Sequence, residues 1–401
     1  MKFKNKINIK LMALFTLIIT PFSSFAITKS ISVNLNYTPA SGIYTMPLKI
    51  GNNIYDVILD TGSANLNLVG DKQICKECSG ILTKKGYRPG KSGVAFPNYF
   101  KMAYGSGAGK MQVYRDKIHI GGVTFPYDFS VFLKAKDVGH DFGLGYRHIA
   151  MPGRSPLPTL FESIVKHTGV ADQFSLLFCG THGNSKIVFG KNPEINYDQV
   201  KQIPVAQKSF YTVLLNGINT EDGKSLVTYG PEDTTQTAIL DSATTGSIIL
   251  PDSSIHKITN YVKAYIKQKG VHNIPEYLWN QRCVKKELID TSKFPTLKIL
   301  FTNYLGKKGS VVLDIKPESY LTSGSCGKGY RRFAFISMGH PETKKIHGSH
   351  RLKKYQRTQK ILGTPFFEGR WAIFHPGELY NMKKQYSGHI EFYDKPGLCR
   401  K

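Results

Sequence analysis

Beyond its first 26 residues, the chain is a succession of short apolar and aromatic runs broken by Gly, Asn and Pro. The runs 43–50, 55–59, 117–120, 186–189, 211–215 and 298–301 read as β-strands bounded by turn residues. Helical periodicity is sparse. It is clearest over 159–167 and over 254–269, the second following a Pro251-Asp252-Ser253 start signal. The pattern therefore predicts a mostly β protein with a few short helices, and 401 residues suffice for two domains or one bilobal body.

The N-terminus has a different pattern. Lys2, Lys4, Lys6 and Lys10 precede an apolar run over 11–22, and Ser24-Phe25-Ala26 is a small-x-small sequence. These are the three parts of an export signal cleaved after Ala26, and the run is short for a membrane span of about 20 residues. A retained anchor is the alternative. The expected compartment is secreted or periplasmic.

Charge and cysteines are read in that light. The chain carries 54 Lys+Arg against 28 Asp+Glu, a formal +26, and losing the four signal lysines leaves +22. Such a charge invites nucleic-acid binding, because basic side chains neutralise phosphates. Export argues against a genomic role, so no nucleic-acid partner is expected. With 41% apolar and 20% charged residues, the chain is neither a disordered polyelectrolyte nor a coiled coil. Six cysteines (Cys75, Cys78, Cys179, Cys283, Cys326 and Cys399) are expected to pair after export, in any of about fifteen ways. Cys75-x-x-Cys78 has no second such pair, no matching histidines and no βαβ setting, so it reads as a small structural loop; no metal and no cofactor are expected.

Two stretches about 180 residues apart resemble each other. Val57-Ile58-Leu59 leads into Asp60-Thr61-Gly62-Ser63, and Ala238-Ile239-Leu240 leads into Asp241-Ser242-Ala243-Thr244. Each acid ends an apolar strand and precedes hydroxyl residues and a tight turn. Each stretch is later followed by an apolar-Gly strand, Phe142-Gly143-Leu144-Gly145 or Ile361-Leu362-Gly363. One Asp-Thr-Gly is only a turn motif. The paired arrangement instead predicts two similar lobes meeting face to face, each contributing a carboxylate to a cleft.

On these motifs the chain resembles the pepsin-like aspartic proteases from about Ile43 to Asp394. Asp60-Thr61-Gly62-Ser63 with Asn65-Leu66 matches the first active-site signature, and Asp241-Ser242 corresponds to the second. Met102-Ala103-Tyr104-Gly105-Ser106-Gly107 matches the flap, and Lys117-Ile118-His119-Ile120-Gly121-Gly122 the strand after it. Phe366-Phe367 and Trp371-Ala372-Ile373-Phe374 match the C-terminal run. The resemblance implies a bilobal fold of two β-barrel-like lobes related by a pseudo-twofold, with a joining sheet. Expected boundaries are 27–42 for a short N-terminal segment, 43–200 for the N-terminal lobe and 201–401 for the C-terminal lobe.

The resemblance also implies roles. Asp60 and Asp241 would be the catalytic pair, sharing one proton and activating a water for direct attack on a peptide. Thr61 and Ser242 would brace the two loops, with Gly62 and Ala243 turning beside the acids. Ser63 would hydrogen-bond Asp60, and Thr244 would do the same for Asp241. Tyr104, Gly105 and Ser106 would sit on a flap over an extended polypeptide substrate. Cys283–Cys326 would be the C-terminal-lobe disulfide, Cys75–Cys78 would close the small loop beyond the first active site, and Cys179–Cys399 would tie the joining sheet. Pepsin zymogens carry a long basic prosegment; only about sixteen residues lie between Ala26 and Ile43, so none is expected here.

The sequence departs from the family pattern at Ala243 (usually Gly), at Asn67 (commonly Trp), at Thr364 and at His375. The stretch from Asp241 to Pro251 is also one residue longer than usual. A catalytically weak pepsin-fold binding or inhibitor-like protein is therefore the alternative to a secreted, monomeric endopeptidase. A basic insertion at 340–360, with Lys344, Lys345, Arg351, Lys353, Lys354, Arg357 and Lys360, reads as a solvated loop or as a contact for acidic substrates or an anionic surface. Its positive field would lower the pKa values of the acid pair if it reached them.

Overall fold

The computed structural model describes residues 29–80, 82–103, 108–150, 158–207, 210–230, 236–303, 309–338, 360–376 and 388–399. The export signal at 1–26 and nearly all of the basic insertion, 340–359, lie outside the described residues. No described helix is long and apolar enough to cross a membrane.

The fold is mostly β and bilobal. Among the described residues, nine strands between Asn36 and Gly143 form one sheet. Its order is Asn36–Thr38, Ile43–Ile50, Asn53–Asp60, Asp141–Gly143, Leu66–Val69, Val123–Lys136, Ala108–Ile120 and Val94–Ala103, with Glu77–Ser79 beside Val123–Lys136. Ile43–Ile50 also pairs with Ala108–Ile120, Lys49 opposite His119, and this closes the sheet on itself.

The predicted strand at 117–120 is the end of the much longer Ala108–Ile120. Met111, Tyr114, Asp116, Ile118 and Ile120 are buried in it, and Arg115 and Lys117 are exposed. A charged residue in that alternation hides the strand from a hydrophobicity pattern. Asp116 tolerates burial because Tyr87 Oη–H donates to Oδ2 at 3.0 Å, Ser92 Oγ–H to Oδ1 at 2.6 Å and the Lys117 N–H to Oδ1 at 2.8 Å.

The second sheet joins the halves. Ile31–Asn34, Lys186–Phe189 and Phe174–Leu177 come from the first part of the chain. Trp371–Phe374, His389–Tyr393 and Lys201–Gln207 continue the same sheet from the second part. The seam between them is the antiparallel pair Phe174↔Phe374 to Leu177↔Trp371. From Lys201–Gln207 the sheet passes to Thr212–Asn219, Thr237–Leu240, Lys360–Leu362, Ile248–Leu250 and Phe335–Ser337. One apolar core runs through both lobes, and buried Tyr211 stands at their boundary. Its ring packs 4.4 Å from Tyr146 and 4.6 Å from Phe374, and its hydroxyl donates to the Leu144 carbonyl at 2.9 Å.

Both predicted helices form. Leu160–Thr168 starts on a capping box: Thr159 Oγ1 accepts the Glu162 N–H at 3.1 Å, and the Glu162 carboxylate accepts the Thr159 N–H at 2.8 Å. Asp252–Gln268 buries Ile255, Ile258, Val262 and Ile266 along one face. Each such side chain stabilises the fold by about 1.5–3 kcal/mol when fully buried.

Candidate active site

Asp60 is the last residue of the strand Asn53–Asp60, and Asp241 directly follows Thr237–Leu240. The later apolar-Gly strands lie parallel to these, pairing Phe142 with Leu59 and Leu362 with Leu240. Beneath the acids, the loops clasp each other. The Thr61 N–H donates to Ser242 Oγ at 3.0 Å, and the Ser242 N–H to Thr61 Oγ1 at 2.9 Å. Each hydroxyl then donates across to a strand carbonyl, Thr61 Oγ1–H to Leu240 and Ser242 Oγ–H to Leu59, both at 2.8 Å. All four bonds link residues about 180 positions apart, and Thr61 and Ser242 are buried.

The clasp draws the acids together. A Cβ on Gly62 would lie 3.0 Å from the Asp241 carboxyl carbon, so a side chain there would press that carboxyl aside by a few tenths of an ångström. The Gly62 N–H donates to Asp60 Oδ1 at 2.8 Å, and the Ala243 N–H to Asp241 Oδ1 at 2.9 Å. The Asp60 carboxyl is within hydrogen-bonding reach of that of Asp241, and its pKa is raised to about 7, first by burial and then by the charge of Asp241. The shift runs opposite to the lowering that a positive field at the pair would bring.

The extra residue after Asp241 falls in the turn. Leu66, opposite Phe142, comes six positions after Asp60, whereas Ile248, opposite Leu362, comes seven after Asp241. Gly246 takes up the difference with a left-handed φ of +60°. Its N–H donates to Thr364 Oγ1 at 2.8 Å, and buried Arg332 donates from Nη2 to the Gly246 carbonyl at 3.0 Å and to Ser247 Oγ at 2.9 Å. Thr364, a departure in the sequence, holds the lengthened turn.

The register of Thr244 follows, because its hydroxyl donates to Asp241 Oδ2 at 2.7 Å. Ser63 stands at the corresponding place in the first loop: its Oγ is buried, and its hydroxyl acts on the Asp60 carboxyl as a side-chain partner that opposes the rise in its pKa. Ala243 keeps its amide on Asp241 without a positive φ, so the added methyl does not displace the loop. Asn67 is wholly buried in Leu66–Val69, paired with Asp141 and Ser130. Tyr104, Gly105 and Ser106 lie outside the described residues.

Three neighbours of this site had no role assigned from the sequence, although Thr364 stood out as a departure. Thr364 and Arg332 hold the second loop. Asp141, immediately before the first apolar-Gly motif, is a third carboxyl; burial, with a smaller contribution from the charge of Asp60, pushes its pKa well up. Its signal was an acid directly preceding that motif. Lys360 requires a correction: it is not part of a solvated basic loop but is buried, with its ammonium 4.0 Å from the centroid of the Tyr229 ring. The disulfides are Cys75–Cys78, Cys179–Cys399 and Cys283–Cys326.

The sequence profile of the eukaryotic aspartyl protease family matches residues 43–373, and the chain belongs to that family. Similar proteins include a beta-secretase of Strongylocentrotus purpuratus, 25% identical over 72% of this chain and 58% of its own length. Vacuolar protease A of Neurospora crassa is 27% identical over 68% of this chain and 64% of its own. Aspergillopepsin-1 of Aspergillus fumigatus is 24% identical over 58% of each. The chain thus spans about three-fifths of the length of these relatives.

Proposed function

We propose that the protein is an aspartic endopeptidase using Asp60 and Asp241 as its catalytic pair. The observation that carries this reading is the approach of the two carboxyls above the reciprocal Thr61–Ser242 clasp. Two carboxyls this close hold one proton between them, so one is a base while the other is an acid. The ionised member takes a proton from water as the water oxygen bonds to the scissile carbonyl carbon. The protonated member gives its proton to the carbonyl oxygen. The tetrahedral diol then collapses, a proton passes to the amide nitrogen, the C–N bond breaks, and the pair is left with one proton again.

The substrate in this reading is an extended polypeptide. Tyr104, Gly105 and Ser106 are assigned to its flap on sequence resemblance alone. Export after Ala26, a monomeric state and lobes at 43–200 and 201–401 belong to the same proposal, as does contact of the 340–359 segment with acidic substrates. The ordered amides at Asp60 and Asp241 favour an enzyme over a weak pepsin-fold binding protein, since Ala243 leaves the second loop in place.

The test is hydrolysis of an unstructured polypeptide across acidic to neutral pH, with and without pepstatin, for the wild type, Asp60→Asn and Asp241→Asn. Pepstatin-sensitive cleavage abolished in both variants is expected. Cleavage indifferent to all three changes would exclude this mechanism.

A further inference from the structure

His375, His389 and Glu391 form a second cluster, in the sheet that joins the lobes and apart from the Asp60–Asp241 pair. The backbone dictates their meeting. His389 and Glu391 are two apart on the strand His389–Tyr393 and therefore project from the same face. The antiparallel register Phe374↔Ile390, carried one step further, sets His375 beside His389. Their rings stand 4.7 Å apart. His375 Nε2 lies 3.3 Å from Glu391 Oε2, and His389 Nε2 lies 3.2 Å from Glu391 Oε1. One donor atom from each residue fits within a 4.8 Å span.

Without an ion these N···O contacts are hydrogen bonds from the imidazoles to Glu391, and the same spacings fit the edges of a metal's coordination shell. With zinc–ligand bonds of 2.0–2.1 Å, tetrahedral neighbours sit about 3.3 Å apart. We propose that His375, His389 and Glu391 bind a divalent transition-metal ion of the zinc class, clamping the Trp371–Phe374 and His389–Tyr393 strands of the joining sheet. Two imidazoles and a carboxylate suit zinc or cobalt better than calcium or magnesium, which prefer all-oxygen shells. Each imidazole presents its Nε2 lone pair to the ion and carries its proton on Nδ1. The side chains are 13%, 14% and 7% exposed, so water can supply a fourth ligand. Gln202 on the neighbouring strand Lys201–Gln207 donates from Nε2 to Glu391 Oε1 at 3.0 Å, the oxygen that faces His389, and orients the carboxylate. Pattern alone does not find the site, since His375 follows one strand, His389 and Glu391 lie on its antiparallel neighbour, and the H-x-E pair alone is commonplace.

The experiment is a titration of the full exported chain with Co2+, read by its visible d–d absorption, and with Zn2+, read by calorimetry and the thermal midpoint. The expected result is one saturable equivalent with an intense four- or five-coordinate cobalt spectrum. Zinc should raise the midpoint and EDTA reverse it. His375→Ala and His389→Ala should each weaken binding by about tenfold or more. Binding unchanged in both variants overturns the proposal, because the ion would then sit elsewhere. Should a variant misfold, the wild type decides: a weak six-coordinate cobalt spectrum at every ratio overturns it equally.

Discussion

The Thr61 N–H donates to Ser242 Oγ while the Ser242 N–H donates to Thr61 Oγ1, so each loop supplies both donor and acceptor to the other. The exchange fixes how far apart two chain segments 181 residues distant can stand. Removing either hydroxyl leaves a buried N–H and a buried carbonyl without their partner. Ser242→Ala is therefore expected to cost about 1–3 kcal/mol in denaturant unfolding. In a double-mutant cycle with Thr61→Val, the combined loss should be smaller than the sum of the single losses, because both remove one network. Additive losses would mean that the two loops are held independently.

Thr364 supports the lengthened turn after Asp241. Thr364→Val leaves the Gly246 N–H, now bonded at 2.8 Å, facing a methyl group. A loss of about 1–3 kcal/mol is expected. Thr364→Ser should recover most of it, since it restores the oxygen. Peptidase activity should fall more than stability does, because the turn places the Thr244 hydroxyl on Asp241. A fully stable Thr364→Val protein would show that Arg332 alone holds the turn.

The proton on the acid pair should be visible in stability. Asp60 has a pKa raised from 3.8 to about 7, so the folded protein holds this proton more tightly than the unfolded chain. The resulting stabilisation is complete below about pH 4 and is lost as pH rises through about 7. Asp60→Asn cannot make this exchange. Its stability relative to wild type should improve steadily between those limits, measured by denaturant unfolding at several pH values. A relative stability that worsens as pH rises would contradict the raised pKa.

Glu368, just past the helix Thr364–Phe367, offers a second titration. Enclosed by protein, though not fully shielded from solvent, it has a pKa raised from 4.5 to about 7 chiefly by burial. The Tyr44 hydroxyl donates to its Oε1 at 3.1 Å and accepts the Gly180 N–H at 2.8 Å. Glu368→Gln keeps an oxygen for Tyr44 and removes the titration. The variant should gain on wild type in unfolding free energy between about pH 4.5 and about pH 7. A constant difference between the two proteins would show that Glu368 titrates normally.

Local pattern alone identified much of this protein. Asp60 and Asp241 stood out because each ends an apolar strand and precedes a turn, and strand, acid and turn are adjacent in sequence. Helices at Leu160–Thr168 and Asp252–Gln268 were legible for the same reason: their periodicity and start signals lie within a few residues. The family resemblance rested on such local words read in order. What pattern could not give were relations set by the packing of distant segments. Buried Asp116 disguised a long strand because its partners Tyr87 and Ser92 lie 29 and 24 residues away. Lys360 read as surface charge until the fold placed it against Tyr229. Thr364 and Arg332 reach the loop of Asp241 from 118 and 86 residues beyond their Gly246 partner, and His375 meets Glu391 only across a strand pair. Sequence determined which residues could act, because the chemistry of a side chain and its strand or turn is local. Tertiary structure decided which of them meet, because a hydrogen bond or a shared proton depends on distances that close only when both lobes have packed.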